Sequence, residues 1–372
     1  MVIAATVAVL VLWATYLDVP FELPAETLAT DIPLQEPLEQ AGTLGQPVED
    51  SRPADNVERC RPSEASRSLV PSKQELEEME SSAVSILRAS NDPESLLAAA
   101  ALSRWRDPPM ALELLDQSMR HSSVVPLSAW TAFIICGQRT TLSCDFEKLE
   151  EDAIKADNRN GAMWVQVAAS RIDSGRLDGA VEAMRQAIAA PDYDSFYSEQ
   201  VLLIDRALAS TTNLSHIERV FRAGMYSSVS PMSFRSLRAQ CESEKTGVWP
   251  ELCEQLGDRM SSDADDIMNQ ALGMELQELA LQNIGDEAGL RELKRSKDSL
   301  VMPFGTVETA TPLMSLLAND ASVLSNYMTN LEIYGEVEAW QRLSEEAERL
   351  KGLSEYDQCN FEGDPYLFEN KG

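Results

Sequence analysis

Apolar residues recur every three to four positions along most of this chain, with polar residues between them. That is the spacing of one helix face turned to a core. In SKQELEEMESSAVSILRAS, Leu76, Met79, Ala83, Ile86 and Leu87 share a face, and Ser72 with Glu75 makes a capping box at the start. In NDPESLLAAAALSRW, Asn91 or Asp92 is the expected cap and Pro93 sits in the first turn. PPMALELLDQSMRH, PLSAWTAFIICGQ, DFEKLEEDAIKAD, NGAMWVQVAASRIDSG and RLDGAVEAMRQAIAA continue the pattern, and further helical segments follow Pro191 as far as EVEAWQRLSEEAERLKG. A break at Val301 to Pro312 interrupts them. No run alternates β-branched and polar residues between hairpin turns, so no strand is expected. Short helices with short connections pack as antiparallel neighbours, and the fold class is all-α.

The ends differ from this middle. Met1 to Leu17 is an unbroken apolar run, roughly 25 Å long as a helix, with Trp13 and Tyr16 near its end. It reads as a signal-anchor, a cleaved signal peptide or a core helix. The polar segment after it disfavours the core helix, and the missing basic flank and poor cleavage site favour an uncleaved anchor. Residues 18–71 hold eight of the 18 prolines with many acidic and small polar residues, the composition of a disordered linker. They carry no basic residue before Arg52, which by the positive-inside rule puts this side outside the cytoplasm. The expected organisation is a transmembrane anchor at 1–17, a flexible linker at 18–71, helical hairpins at 72–192, further antiparallel helices continuing the stack at 193–352, and an irregular tail at 353–372. The expected location is the inner membrane of a bacterium, single-pass, with the soluble part in the periplasm.

The cysteines agree with an exported chain. There are six, an even number: Cys60, Cys136, Cys144, Cys241, Cys253 and Cys359. Cys136 and Cys144 flank one expected helix-helix turn, and Cys241 and Cys253 another, so each pair is expected to staple two helices. Cys60 and Cys359 then pair by exclusion.

Trp130 and Trp164 lie 34 residues apart, and each is followed 23 residues later by an alanine, Ala153 and Ala187. In the second unit Trp164, Val167 and Ala168 share a first helix face, Gly175 stands in the turn, Ala180, Met184 and Ala187 share a second face, and Pro191 closes the unit. Over Ala162 to Pro191 this resembles the tetratricopeptide repeat (TPR) family. The resemblance is partial over Ser128 to Asn160, where the turn glycine is missing, and looser over Pro93 to His121. It implies TPR-like α-α hairpins forming a partly irregular solenoid. It also implies binding of peptides or proteins in the groove lined by the first helix of each hairpin. On that face the sequence offers Thr131, Ile135, Gln138 and Arg139, then Val165, Ala169, Ile172 and Asp173. Thr131, Gln138, Arg139, Ile172 and Asp173 are the candidate partner contacts. Thr131 and Ile135 stand where the family's carboxylate clamp has Lys and Asn, so binding of chaperone tails is not implied.

Charge and motif content narrow the chemistry. A net charge of -30 repels phosphate backbones, and LRELKRSK is the densest basic stretch, so no nucleic-acid partner is expected. No nucleophile elbow, zinc motif, P-loop, dinucleotide fingerprint or paired CxxC occurs, and neither a metal nor a cofactor is expected. Asp263, Asp265 and Asp266 read as an acidic helix start, and EEMESS and KLEEDAIKAD as solvated helix faces. The expected function is a membrane-anchored scaffold that binds protein or peptide partners in the cell envelope, without catalysis. The alternative is a cell-envelope enzyme with a helical scaffold and a non-motif active site.

Overall fold

The computed structural model describes residues 73–120, 125–138, 142, 144–227, 233–301, 313, 316–317 and 320–351. The N-terminal apolar run, the linker, the tail, and with them Cys60 and Cys359, lie outside the described residues. Among the described residues no helix is long and apolar enough to cross a membrane.

The described part is all-helical. Its helices are α1 (Lys73–Ser90), α2 (Pro93–Ser103), α3 (Pro108–Ser118), α4 (Val125–Gln138), α5 (Phe146–Ala156), α6 (Gly161–Asp173) and α7 (Leu177–Ala189). Then follow α8 (Tyr197–Thr211), α9 (His216–Ser227), α10 (Ser233–Ser243), α11 (Trp249–Asp263), α12 (Ile267–Ile284), α13 (Glu287–Val301) and α14 (Ala321–Lys351). Local chemistry sets many of the starts. Asp92, Asp107, Asp145, Asn160 and Asp266 each accept a hydrogen bond from a backbone N–H of the first turn that follows. At α9, Ser215 and Glu218 cap each other reciprocally. Gly175 makes the α6–α7 turn with φ +74°.

From α1 to α7 each helix packs on the next. Helix α8 then lies against α1, α2 and α14 as well as its own partner α9, while α10 lies against α4, α6 and α12, and α11 against α7 and α12. Among the described residues two large apolar cores result, with a small third cluster of Met274, Leu281 and Leu293 between α12 and α13. The first joins α1, α2 and α3 to α8, α9 and α14. The second joins α6 and α7 to α10, α11 and α12. Helix α4 serves both: Ala132 and Ile135 face the first core, and Ala129, Trp130, Phe133 and Ile134 the second. Its sequence AWTAFIIC is apolar all round because it is covered on two sides. On α1 the inward stripe is Ala83, Val84 and Leu87, with Glu80, whereas Ile86 is half exposed. Val84 takes the place that the periodicity gives to Ile86.

Three devices fasten neighbouring helices. Cys136–Cys144 closes the α4–α5 turn and Cys241–Cys253 joins α10 to α11, each with a Cα separation of 5.9 Å. Gly257 of α11 and Gly273 of α12 let those helices touch: a Cβ on Gly273 would lie 2.5 Å from the Ser261 nitrogen. Buried carboxylates supply the third. Glu150 of α5 accepts hydrogen bonds from Ser170 (2.9 Å) and Arg171 (3.1 Å) and pairs with Arg176, tying α5 to α6 and to the turn after it. Glu80 of α1 pairs with Arg106 and with Arg222 of α9. Both glutamates belong to the runs KLEEDAIKAD and EEMESS, so these runs are not solvated throughout. One residue in each points inward, and an arginine distant in sequence neutralises it.

Candidate functional site

The face expected to bind a partner is largely covered. Helix α10 lies across α4 and α6, and its Phe234 and Leu237 are buried in the same core as Trp130, Phe133 and Val165. Thr131 is buried, and its hydroxyl donates to the Leu127 carbonyl (2.8 Å). Ile135, Val165 and Ala169 are buried too, and Ile172 is half-buried against the second core. Asp173 is exposed but accepts a hydrogen bond from Ser236 of α10. Arg139 and the side chain of Gln138 lie outside the described residues. The structure thus brings Ile172 and Asp173 to the α6–α10 seam and keeps Thr131 in the interior.

A second location joins residues far apart in sequence. Helix α14 is broken at Gly335, where φ is +82° and ψ is 178°. A Cβ there would lie 2.7 Å from Cβ of Asp265, so only glycine fits. Beyond the break, Glu336 N and Val337 N donate to the Asp265 carbonyl (2.8 and 3.2 Å), and the Glu336 carboxylate accepts from Ile267 N (3.0 Å). The α11–α12 turn and the α14 kink therefore clasp each other through reciprocal backbone and carboxylate bonds. Asp266 caps α12 through Asn269 N (2.8 Å) and accepts from Ser195 (2.6 Å), in the segment that leads into α8. In that segment Asp194 accepts from the N–H of Phe196 (2.6 Å), which has a left-handed φ of 58°.

Four carboxyl groups are thus held close together, and all are shifted upward. Burial, reinforced by Asp266, Asp194 and Glu199, raises Asp265 to about 8. Burial and then Glu199 raise Asp194 to about 7. Burial and then Asp266 raise Glu336 to about 7, against the stabilising donors Ile267 N–H, Tyr197 and Trp340. Asp266 is raised by burial, against the donors Ser195 and Asn269. The phenol of Tyr193, buried beside Asp266, Asp265 and Arg259, is also raised by burial, and its hydroxyl has no hydrogen-bond partner among the described residues. Such a cluster can take up and release protons near neutral pH, and a protonated carboxyl can donate a hydrogen bond as well as accept one. Among the described residues no group of three His, Cys, Asp or Glu side chains is placed to hold a metal ion.

The clasp borders a cleft of about 540 Å³ between α2, α8 and α14. Leu97, Leu203 and Leu331 give it an apolar floor, while Glu94, Glu199, Glu332 and Asp265 line it with acid beside Arg206, the one cation lining it among the described residues. Ile333 (60% exposed) and Tyr334 (47% exposed) stand at its edge, and Arg342 lies over the Tyr334 ring at 4.0 Å.

Asp266 meets the expectation of an acidic helix start, and Asp263 pairs with Arg259 at the end of α11. Asp265 does neither, because its backbone is taken by the α14 kink. Sequence reading missed Asp194, Asp265 and Glu336 as a group, since their meeting depends on contacts across scores of residues. The one local signal was a glycine in the middle of a helical pattern, Gly335. No known family model, curated protein or solved structure matches this chain.

Proposed function

We propose that this chain is a membrane-anchored periplasmic scaffold whose TPR-like helical hairpins hold a protein or peptide partner, without catalysis. The observation that carries the reading is the open cleft, apolar at its floor and polar at its rim, framed by packed helices. The α4–α5 and α6–α7 hairpins support the repeat reading, since Trp130, Ala153, Val167, Ala168, Ala180 and Ala187 are buried in one core. The two disulfides support an oxidising compartment. Partner binding shifts from the α4–α6 face, which α10 covers, to the α2–α8–α14 cleft.

The test is crosslinking in intact cells followed by capture of the full chain. A stoichiometric protein partner, lost when Leu203 and Leu331 are both replaced by polar residues in a variant of unchanged helicity, supports the reading. Capture of no protein in fixed stoichiometry overturns it. A second reading, an envelope enzyme, is favoured by Asp265, a cleft-lining carboxyl group held protonated near neutral pH and so suited to donate a proton. Turnover of an envelope substrate abolished by Asp265→Asn, with partner capture intact, would select it.

A further inference from the structure

Two polar groups in the cleft lack partners. Ser198, only 6% exposed, lines the cleft, and its hydroxyl oxygen has no hydrogen-bond partner among the described residues. Asp265 Oδ1, also lining it, has none either. Both atoms are closed off from solvent in the resting cleft, and leaving buried polar atoms unmatched is costly, so a donor that enters and parts the wall around them gains two acceptors. Around them stand Glu94 of α2, Glu199 of α8 and Glu332 of α14, three carboxylates from three helices, with Arg206 among the lining residues and Arg342 over the Tyr334 ring at the edge. Between and beside them the surface is aliphatic, with Ile333 and Tyr334 left in water at the edge.

We infer, on the scaffold reading above, that the cleft receives a basic polypeptide segment in which lysines alternate with aliphatic residues. One lysine ammonium reaches Asp265 Oδ1 and the Ser198 hydroxyl, and its positive charge favours release of the Asp265 proton, leaving a carboxylate that accepts. The neighbouring cations face Glu94, Glu199 and Glu332, and the aliphatic side chains lie on Leu97, Leu203 and Leu331. A lysine fits this pair of acceptors because its ammonium carries three donors and no acceptor. A purely apolar segment leaves the acidic lining desolvated and unmatched, and a small polycation leaves Ile333 and Tyr334 uncovered. An anionic partner is opposed by the cleft and by the charge of the whole chain.

The experiment uses the full chain in phosphatidylcholine nanodiscs. Fluorescence anisotropy reads the binding of a labelled short peptide of alternating Lys and Leu, with the corresponding Gln and Leu peptide as reference. The Lys peptide is expected to bind about tenfold tighter or better. The paired change Ser198→Ala with Asp265→Asn should weaken it about tenfold, and Glu199→Gln with Glu332→Gln about fivefold, at unchanged helicity. Glu182→Gln, on α7 away from the cleft, should leave it unchanged. Equal binding of the two peptides, equal weakening by Glu182→Gln, or displacement of the peptide by an equal concentration of spermine would overturn the inference. Capture of the cellular partner separates this from the scaffold reading. If the Ser198→Ala, Asp265→Asn protein still captures its partner at full yield, the lysine seat is wrong and the scaffold stands. If the unaltered protein captures none, the scaffold itself is wrong.

Discussion

The α4–α5 and α6–α7 hairpins share a tryptophan-alanine skeleton but use it differently. Trp130 of α4 is 3% exposed, with its ring centroid 5.8 Å from that of Phe196. Trp164 of α6 is only partly buried and donates its indole N–H to the Asn158 carbonyl (2.8 Å). The first hairpin is stapled by a disulfide and turned toward two cores, and the second turns on Gly175 and serves one. Equal spacing in sequence therefore fixes equal positions in a hairpin, while burial depends on what arrives later in the chain: α8 and α10 cover α4.

Replacing each tryptophan by alanine breaks this comparison most sharply. Trp130→Ala should lower stability by about 3–5 kcal/mol in urea denaturation, and Trp164→Ala by about half as much. Equal losses would mean that the two rings are equivalent after all.

The carboxyl clasp lies behind the first tryptophan, since Phe196, which packs on Trp130, is held by Asp194. Asp265, Asp194 and Glu336 have folded values near 7 to 8, above the ordinary carboxylate range. The folded chain thus holds more protons than the unfolded chain between about pH 4 and pH 8. Their contribution is complete below pH 4 and is lost as pH rises through 8. Urea midpoints should fall from pH 5 to pH 9, and Asp265→Asn should flatten that slope. In single-tryptophan variants the emission of Trp130 should follow the transition more closely than that of Trp164. A slope unaltered by Asp265→Asn would assign the effect to the general acidic charge instead.

The turns offer a smaller contrast. Replacing Cys136 and Cys144 by serine should cost about 2–3 kcal/mol through the freer unfolded chain. Gly175→Ala, at its positive φ, should cost about 1 kcal/mol. The smallest effect is expected at the α6–α10 seam, where Asp173→Ala removes one exposed hydrogen bond and should change stability by less than about 0.5 kcal/mol.

What the sequence makes legible is what neighbours in the chain determine. Asp92 capping α2, Gly175 in its turn and the two short-range disulfides all rest on residues a few positions apart. Long-range partners are not encoded in periodicity. Glu80 and Glu150 look like members of solvated acidic runs until Arg222 and Arg176 come into contact with them. The same limit applies to the candidate site. Asp194, Asp265 and Glu336 come from three separate segments, and only the break at Gly335 and the buried start of α12 bring them together. Thr131, a candidate partner contact by its place on the first helix of a hairpin, is buried with its hydroxyl turned to the Leu127 carbonyl, while α10 covers the neighbouring face that holds Trp130.

The double coverage of α4 also sets an order of events during synthesis. Its first face meets α1–α3, already made, but the second waits for α10, which ends at Ser243. Over that interval an apolar stripe containing Trp130, Phe133 and Ile134 lacks part of its native cover. The Cys136–Cys144 bond spans eight positions and needs only α4 and the start of α5, so oxidation can clamp this hairpin before α10 is available. The first staple thus guards a segment whose exposure is prolonged, and oxidant supply becomes a determinant of yield as well as of final stability.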